Sequence, residues 1–236
     1  MSESSLANST LPDTFLMRHN ALLRIAAIAI AISCATADCV AQMPATPVLQ
    51  NAWANAGITV AADYGKATDA SAFAGALAWS PRQSRFQLSV GAGVVKVDSG
   101  GSQGAYGGRL SIPLVSFASG NIGTAIFGGV GVTSNSGVTL SSFPIGASIG
   151  FRHGLGATRA ISAYVAPFYT IARTSGSSIG KATGGAMRAS VGVDVTIARQ
   201  IGLTVGYETG ADAKEDKPGP RGGVFGVGLS YALHRQ

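Results

Sequence analysis

Charge is scarce in this sequence: Asp, Glu, Lys and Arg make up 12% of its 236 residues, where an ordinary soluble domain carries about a quarter. So few ions cannot clothe a surface that meets only water, and part of this surface must face something else. Histidine is limited to His19, His153 and His234, and cysteine to Cys34 and Cys39. His19 and both cysteines fall within an N-terminal leader, and His153 and His234, far apart in the chain with no thiol beside them, cannot close a metal site. They offer little to acid–base or nucleophilic catalysis either, because His153-Gly154-Leu155 supplies no neighbouring serine and no acidic pair stands near. The chain therefore reads as non-enzymatic, without cofactor or metal.

Other familiar signals are missing as well. Gly176-Ser177-Ser178-Ile179-Gly180-Lys181 is one residue short of a phosphate-binding loop, with Ala182 where a magnesium-binding Ser or Thr belongs. Gly128-Gly129-Val130-Gly131 is followed by no helical pattern, which excludes a dinucleotide fingerprint. The formal charge is +6, but the basic residues are scattered and form no run, so a nucleic-acid groove has no support. No apolar run suits a spanning helix: Ile25 to Ile32 falls well short of the required length of about 20 residues, and Arg24 interrupts its start.

What that short run does fit is an export leader. Arg18 and Arg24 give a positive start, Ile25 to Ile32 an apolar middle, and Cys39-Val40-Ala41 a small-residue cleavage site before Gln42. Residues 1–41 are thus expected to be a leader and signal peptide cleaved near Ala41, with Met17 as an alternative start. Both cysteines leave with it, which suits an oxidising compartment reached without a disulfide framework. Residues 42–54, with Pro44 and Pro47, read as a short lead-in.

From residue 55 to 236 the chain breaks into stretches of roughly ten residues that alternate apolar with small or polar side chains. That dyad is how a transmembrane β-strand reads, because about 9–11 tilted residues cross the hydrocarbon with lipid and lumen on alternate sides. The expected strands are Gly57 to Tyr64, Ser71 to Trp79, Arg85 to Val97, Ala105 to Phe117, Ile122 to Thr133, Thr139 to Arg152, Arg159 to Ala172, Ala186 to Ala198, Ile201 to Thr209 and Gly223 to Leu233. On the ninth, Ile201, Leu203, Val205 and Tyr207 alternate with Gly202, Thr204, Gly206 and Glu208. The fold class predicted is all-β, a closed antiparallel up-and-down transmembrane barrel of ten strands. Pro113, Pro144 and Pro167 each fall inside an expected central strand, where a missing N–H leaves a ladder carbonyl unpaired. If one of those strands is misplaced, eight strands with a longer loop is the alternative.

Connections alternate between short turns, such as Arg199-Gln200, and longer loops, above all Arg173 to Gly185 and Gly210 to Gly222. Such barrels place short turns in the periplasm and long loops outside. On that map outward aromatics gather at two heights: Tyr64, Tyr106, Phe143, Tyr169, Tyr207 and Phe225 towards the loops, and Trp79, Phe86, Phe151 and Tyr231 towards the turns. Rings with a polar tip favour both membrane interfaces, so two girdles are expected. The inward charges are Asp63, Arg85, Arg109, Arg152, Arg188, Asp194 and Glu208, with Arg188 and Glu208 at similar height on adjacent strands and expected to pair.

The leader, the glycine-rich dyad Ile126-Phe127-Gly128-Gly129-Val130-Gly131-Val132 and the closing strand Val224 to Leu233 together resemble the small bacterial outer-membrane β-barrel proteins of the OmpA/OmpX-like type. The resemblance implies an outer-membrane location in a diderm cell, contact with outer-membrane lipid, and insertion by the barrel-assembly machinery. That machinery reads an aromatic terminal strand in the family; here Phe225, Leu229 and Tyr231 keep the apolar pattern while Leu233 is followed by His234-Arg235-Gln236. The expected function is a structural or surface-interaction role through the outer loops, as a monomer and without nucleic acid. Two alternatives stand beside it: a narrow pore for ions or small solutes, and a soluble periplasmic barrel that binds lipid inside.

Overall fold

The computed structural model describes residues 48–53, 56–81, 86–98, 101–135, 137–176 and 180–233. The leader with Met17 and the cleavage site, the start of the lead-in, Arg85 and His234 lie outside the described residues. Ten strands follow one another: β1 Gly57–Lys66, β2 Ala70–Ser80, β3 Gln87–Val97, β4 Gly101–Phe117, β5 Ile122–Asn135, β6 Val138–Gly154, β7 Ala160–Gly176, β8 Gly180–Ala198, β9 Ile201–Gly210 and β10 Val224–Ala232. Each pairs antiparallel with its neighbours in sequence, and β1 pairs with β10 from Thr59 opposite Ala232 to Lys66 opposite Phe225, so the sheet closes. Closure gives every strand a partner on both sides.

The stagger of the sheet can be read from the pairs. From Asp63 they lead one way through Gly228 and Thr204 to Asp194 on β8. The other way they lead through Ala74, Gly93, Ala105, Thr133, Leu140 and Thr174 to Ala182 on the same strand. Asp194 and Ala182 are twelve residues apart, and a stagger of this kind tilts the strands and, with ten of them, opens an interior wider than an eight-stranded barrel's.

Alternation decides the two faces. Every strand turns large apolar side chains outward, among them Ile58, Leu77, Val90, Leu110, Ile126, Ile149, Val165, Val193, Val205 and Leu229, one from each strand in order, and all are exposed. The intervening residues face the lumen and are mostly small, polar or ionised: Ser89, Ser111, Ser162, Ser190, Thr204 and Ser230 are all buried there, with Phe127, Tyr164 and Phe168 as large aromatic exceptions.

The ten-strand count survives the three prolines because the ladder breaks where each lies. The β4–β5 register shifts between Pro113 and Ser116. Pairing of β5 with β6 lapses between Ile145 and Ser142, around Pro144, and pairing of β6 with β7 lapses between Phe168 and Val165, around Pro167. A residue without an N–H is accommodated where no ladder bond is asked of it.

One expected loop is mostly strand. β7 runs on to Gly176 and β8 starts at Gly180, with Ala172 opposite Gly184 and Thr174 opposite Ala182. Most of the stretch from Arg173 to Gly185 is therefore a hairpin extension, and only 177–179 lie outside the described residues. Its residues are small and polar on both faces, so it carries no apolar dyad.

Candidate functional site

The lumen holds a feature the dyads could not announce. Residues 48–53 lie inside the barrel, and Val48, Leu49, Gln50, Asn51 and Ala52 are all buried there. The segment expected to be a lead-in is in this part a lumenal filling, and the charged wall residues are what hold it.

Three anchors follow one another along the segment. The Val48 amide donates to Glu208 Oε2 at 2.9 Å. Arg109 Nη1 donates to the Leu49 carbonyl and to Gln50 Oε1, both at 3.0 Å, and Gln50 Nε2 donates to Ser111 Oγ at 3.1 Å. The Asn51 amide donates to Asp194 Oδ2 and, at 2.8 Å, to Ser162 Oγ, while Thr204 Oγ1 donates to Asp194 Oδ1 at 2.6 Å. A buried backbone group without a partner costs free energy comparable to a lost hydrogen bond. A segment without secondary structure can therefore lie in the lumen only because the wall offers ionised partners to its polar groups.

Glycines make the seats for its side chains. A Cβ added to Gly206 would come within 2.2 Å of Leu49 Cδ2, while Gly192 makes room for a wall side chain, the Tyr164 of β7, whose hydroxyl an added Cβ would meet at 2.4 Å. Gly123 and Gly150 face each other across β5 and β6, and a Cβ on either would strike the Trp53 indole, at 2.9 Å and 2.6 Å. The prediction that follows is that Gly150→Val evicts Trp53 while leaving the ladder intact. Tryptophan emission should shift to the red, and the shift should vanish in a Trp53→Phe background, where Trp79 alone reports. No change in emission would mean that the indole does not need this seat.

Arg188 joins the segment to the outer mouth. Its Nε lies 2.6 Å from Glu208 Oε1, with both side chains buried. Its Nη2 donates to the Gly222 carbonyl at 2.6 Å and its Nη1 to the Ala211 carbonyl at 3.4 Å. The β9–β10 loop is thereby drawn inward, Ala213 is buried, and Pro218 packs so closely on the lumenal Gly184 that an added Cβ would meet its carbonyl oxygen at 2.2 Å. Within the loop Asp212 Oδ1 accepts from the Gly222 amide at 2.8 Å, and Arg221 donates to the carbonyls of Lys214 and Glu215. Glu208 thus accepts from the segment with one oxygen and binds with the other the arginine that holds the loop.

The remaining inward charges are placed less tightly. Arg152 is half-buried at the turn end of β6, in line with Ser162 and Asp194 across β7 and β8. Asp63 is buried on β1, and neither carboxylate oxygen has a hydrogen-bond partner among the described residues, though Arg109 acts on it electrostatically. A cavity of about 20 Å³ between the segment and Gln87, Ser89 and Ser111 is large enough for one water.

On the outside, Tyr64, Trp79, Tyr106, Phe143, Phe151, Tyr169, Tyr207 and Phe225 are exposed, and Phe86 and Tyr231 are partly so. Tyr207 lies opposite Phe225, and Trp79 meets Phe86 edge to face at 5.9 Å. Two outward rings stand beside them that the strand-end map omitted: Phe73, opposite Tyr64, and Phe117, opposite Ile122. His153, at the end of β6, is exposed. Among the described residues no three His, Cys, Asp or Glu side chains gather as a metal site.

No protein-family model matches the chain, and no curated protein matches it. Solved structures do. Neisserial surface protein A (NspA) is 16% identical, with 77% of this chain and 100% of that one covered at a TM-score of 0.36. The KdgM porin, in complex with disordered oligogalacturonate, is 10% identical over 75% and 99% at 0.37. Ail, the attachment invasion locus protein of Yersinia pestis, is 12% identical over 74% and 93% at 0.30. The likeness is one of fold.

Proposed function

We propose that this chain is a non-enzymatic protein of the outer membrane of a diderm bacterium, with a structural or surface-interaction role exercised through its outer loops. The observation that carries this reading is the inversion of a soluble protein's faces: a continuous apolar exterior on all ten strands around a polar, ionised interior. Soluble monomers rarely expose contiguous apolar patches beyond a few hundred Å², and water around this cylinder would leave its whole belt unsatisfied. Hydrocarbon removes that cost, while the closed ladder removes the need for water along the backbone.

The soluble lipid-binding alternative requires the opposite arrangement, with apolar residues lining the cavity. An always-open pore is opposed by the lumenal segment, which fills the bore between Glu208, Arg109 and Asp194. A resting protein closed by its own chain leaves the loop end as the surface on which partners can act, with β10's neighbour loop 211–223 and the β7–β8 hairpin the most extended elements there.

Nitroxide labels test the facing map. Labels at Leu203, Val193 and Val227 should report hydrocarbon in vesicles, and one at Thr204 a polar surrounding. The purified protein should also float with lipid and run at different positions on gels before and after boiling. Water at the first three positions, with no flotation, would leave the soluble barrel as the better account.

A further inference from the structure

The lumenal segment has a consequence beyond closure. We propose that residues 48–53 are a tethered plug, and that the barrel without them is a water-filled bore that passes small hydrated ions and solutes. This rests on the membrane-spanning reading above and goes beyond the surface role assigned there.

The first support is room. An eight-stranded barrel is just filled by its own side chains, whereas this ten-stranded one accommodates an additional main chain with its amides and an indole. Six residues can span at most about 20 Å. The space they vacate runs from the level of Glu208 on β9, beside Phe127 and Phe168, to that of Gly123 and Gly150 near the turn end.

The second support is chemistry. An apolar cavity of that size would stay dry, but a polar one fills with water. Arg109, Asp194 and Glu208, each buried against the segment, would lose the hydrogen bonds they make to it, while Asp194 keeps Thr204 and Glu208 keeps Arg188, and water would take the vacated places. The wall carries Asp63, Asp194 and Glu208 against Arg109, Arg152 and Arg188, so the bore should discriminate little between cations and anions.

The third support is the means of release. Among the described residues no strand ladder holds the segment; its anchors are hydrogen bonds to side chains, which can be broken one at a time. Glu208 joins it to Arg188 and so to the 211–223 loop, which means that weakening this carboxylate loosens plug and mouth together.

The test uses three proteins in planar bilayers: the intact chain, a variant lacking residues 48–53, and the full-length Asp194→Asn/Glu208→Gln variant. Flotation of proteoliposomes and heat-dependent gel mobility establish insertion independently of current. The intact protein is expected to be silent. The deletion should show discrete openings of weak ion preference, lost again when a synthetic peptide of residues 46–54 is added, and the double variant should show brief openings. If the deletion does not fold, the double variant decides alone. Inserted variants that stay silent, or an intact chain that conducts as freely as they do, would overturn the plug while leaving the membrane reading standing. Failure of the intact chain to float with lipid would remove both.

Discussion

Arg188→Ala is expected to destabilise the barrel by about 3–5 kcal/mol, the usual cost of removing one member of a buried ion pair. The arginine side chain is fully buried, and its loss strands Glu208 in the lumen with, among the described residues, the Val48 amide as its side chain's remaining partner. Two loop carbonyls, of Ala211 and Gly222, lose their donor at the same time. The penalty comes from the abandoned carboxylate more than from the pair's own attraction, so Arg188→Met/Glu208→Leu should recover most of it. Urea unfolding in lipid vesicles, followed by gel mobility, measures both variants. Proteolysis near Lys214 and Lys217 should quicken in the single variant as the loop comes free. A single variant as stable as the parent would mean that Glu208 finds water or another donor, and that the pair does not hold the mouth.

The fold was legible because one kind of alternation runs through the central stretch of every strand. Ile201, Leu203, Val205 and Tyr207 on β9 and Phe225, Val227, Leu229 and Tyr231 on β10 share a period of two that only a two-sided strand requires. Where the two sides meet the same medium, the signal disappears. The β7–β8 hairpin from Arg173 to Thr183 carries no large apolar side chain on either face among its described residues, so Thr174, Ser175, Lys181 and Thr183 read as loop although they pair as strand. The prolines were legible only in part: each could mark a bulge or a misplaced strand, and the ladder's lapses beside Pro144 and Pro167 decide for the first.

The lumenal segment was illegible for a different reason. Its six residues have no period, and what holds them comes from Arg109 on β4, Ser162 on β7, Asp194 on β8 and Glu208 on β9, all distant in sequence. A signal was nonetheless present. A lumen with so many ionised side chains needs partners for them, and Gln50 and Asn51, two amides beside apolar Val48 and Leu49, are suited to supply them. The glycines beside the segment carry the complementary hint: Gly123, Gly150 and Gly206 leave space where a barrel filled by its own wall would put side chains.

Val193→Arg should separate the membrane reading from a soluble one by the sign of its effect. Val193 stands near the middle of the outward run of β8, from Met187 to Ile197, and is exposed. In hydrocarbon an arginine at the midplane of a barrel costs about 2–4 kcal/mol, falling to about 0–1 near the interfaces. The same substitution at Ile197, close to the β8–β9 turn, should therefore cost much less, and the difference between the two positions measures depth directly. In water the argument reverses: an outward arginine on an apolar belt would raise solubility and leave stability nearly unchanged, with no dependence on position along the strand. Urea midpoints of the two variants, refolded into vesicles, give the comparison. A large loss at Val193 with a small one at Ile197 fits a bilayer around the cylinder, whereas equal and negligible effects would mean that water, not lipid, meets this face.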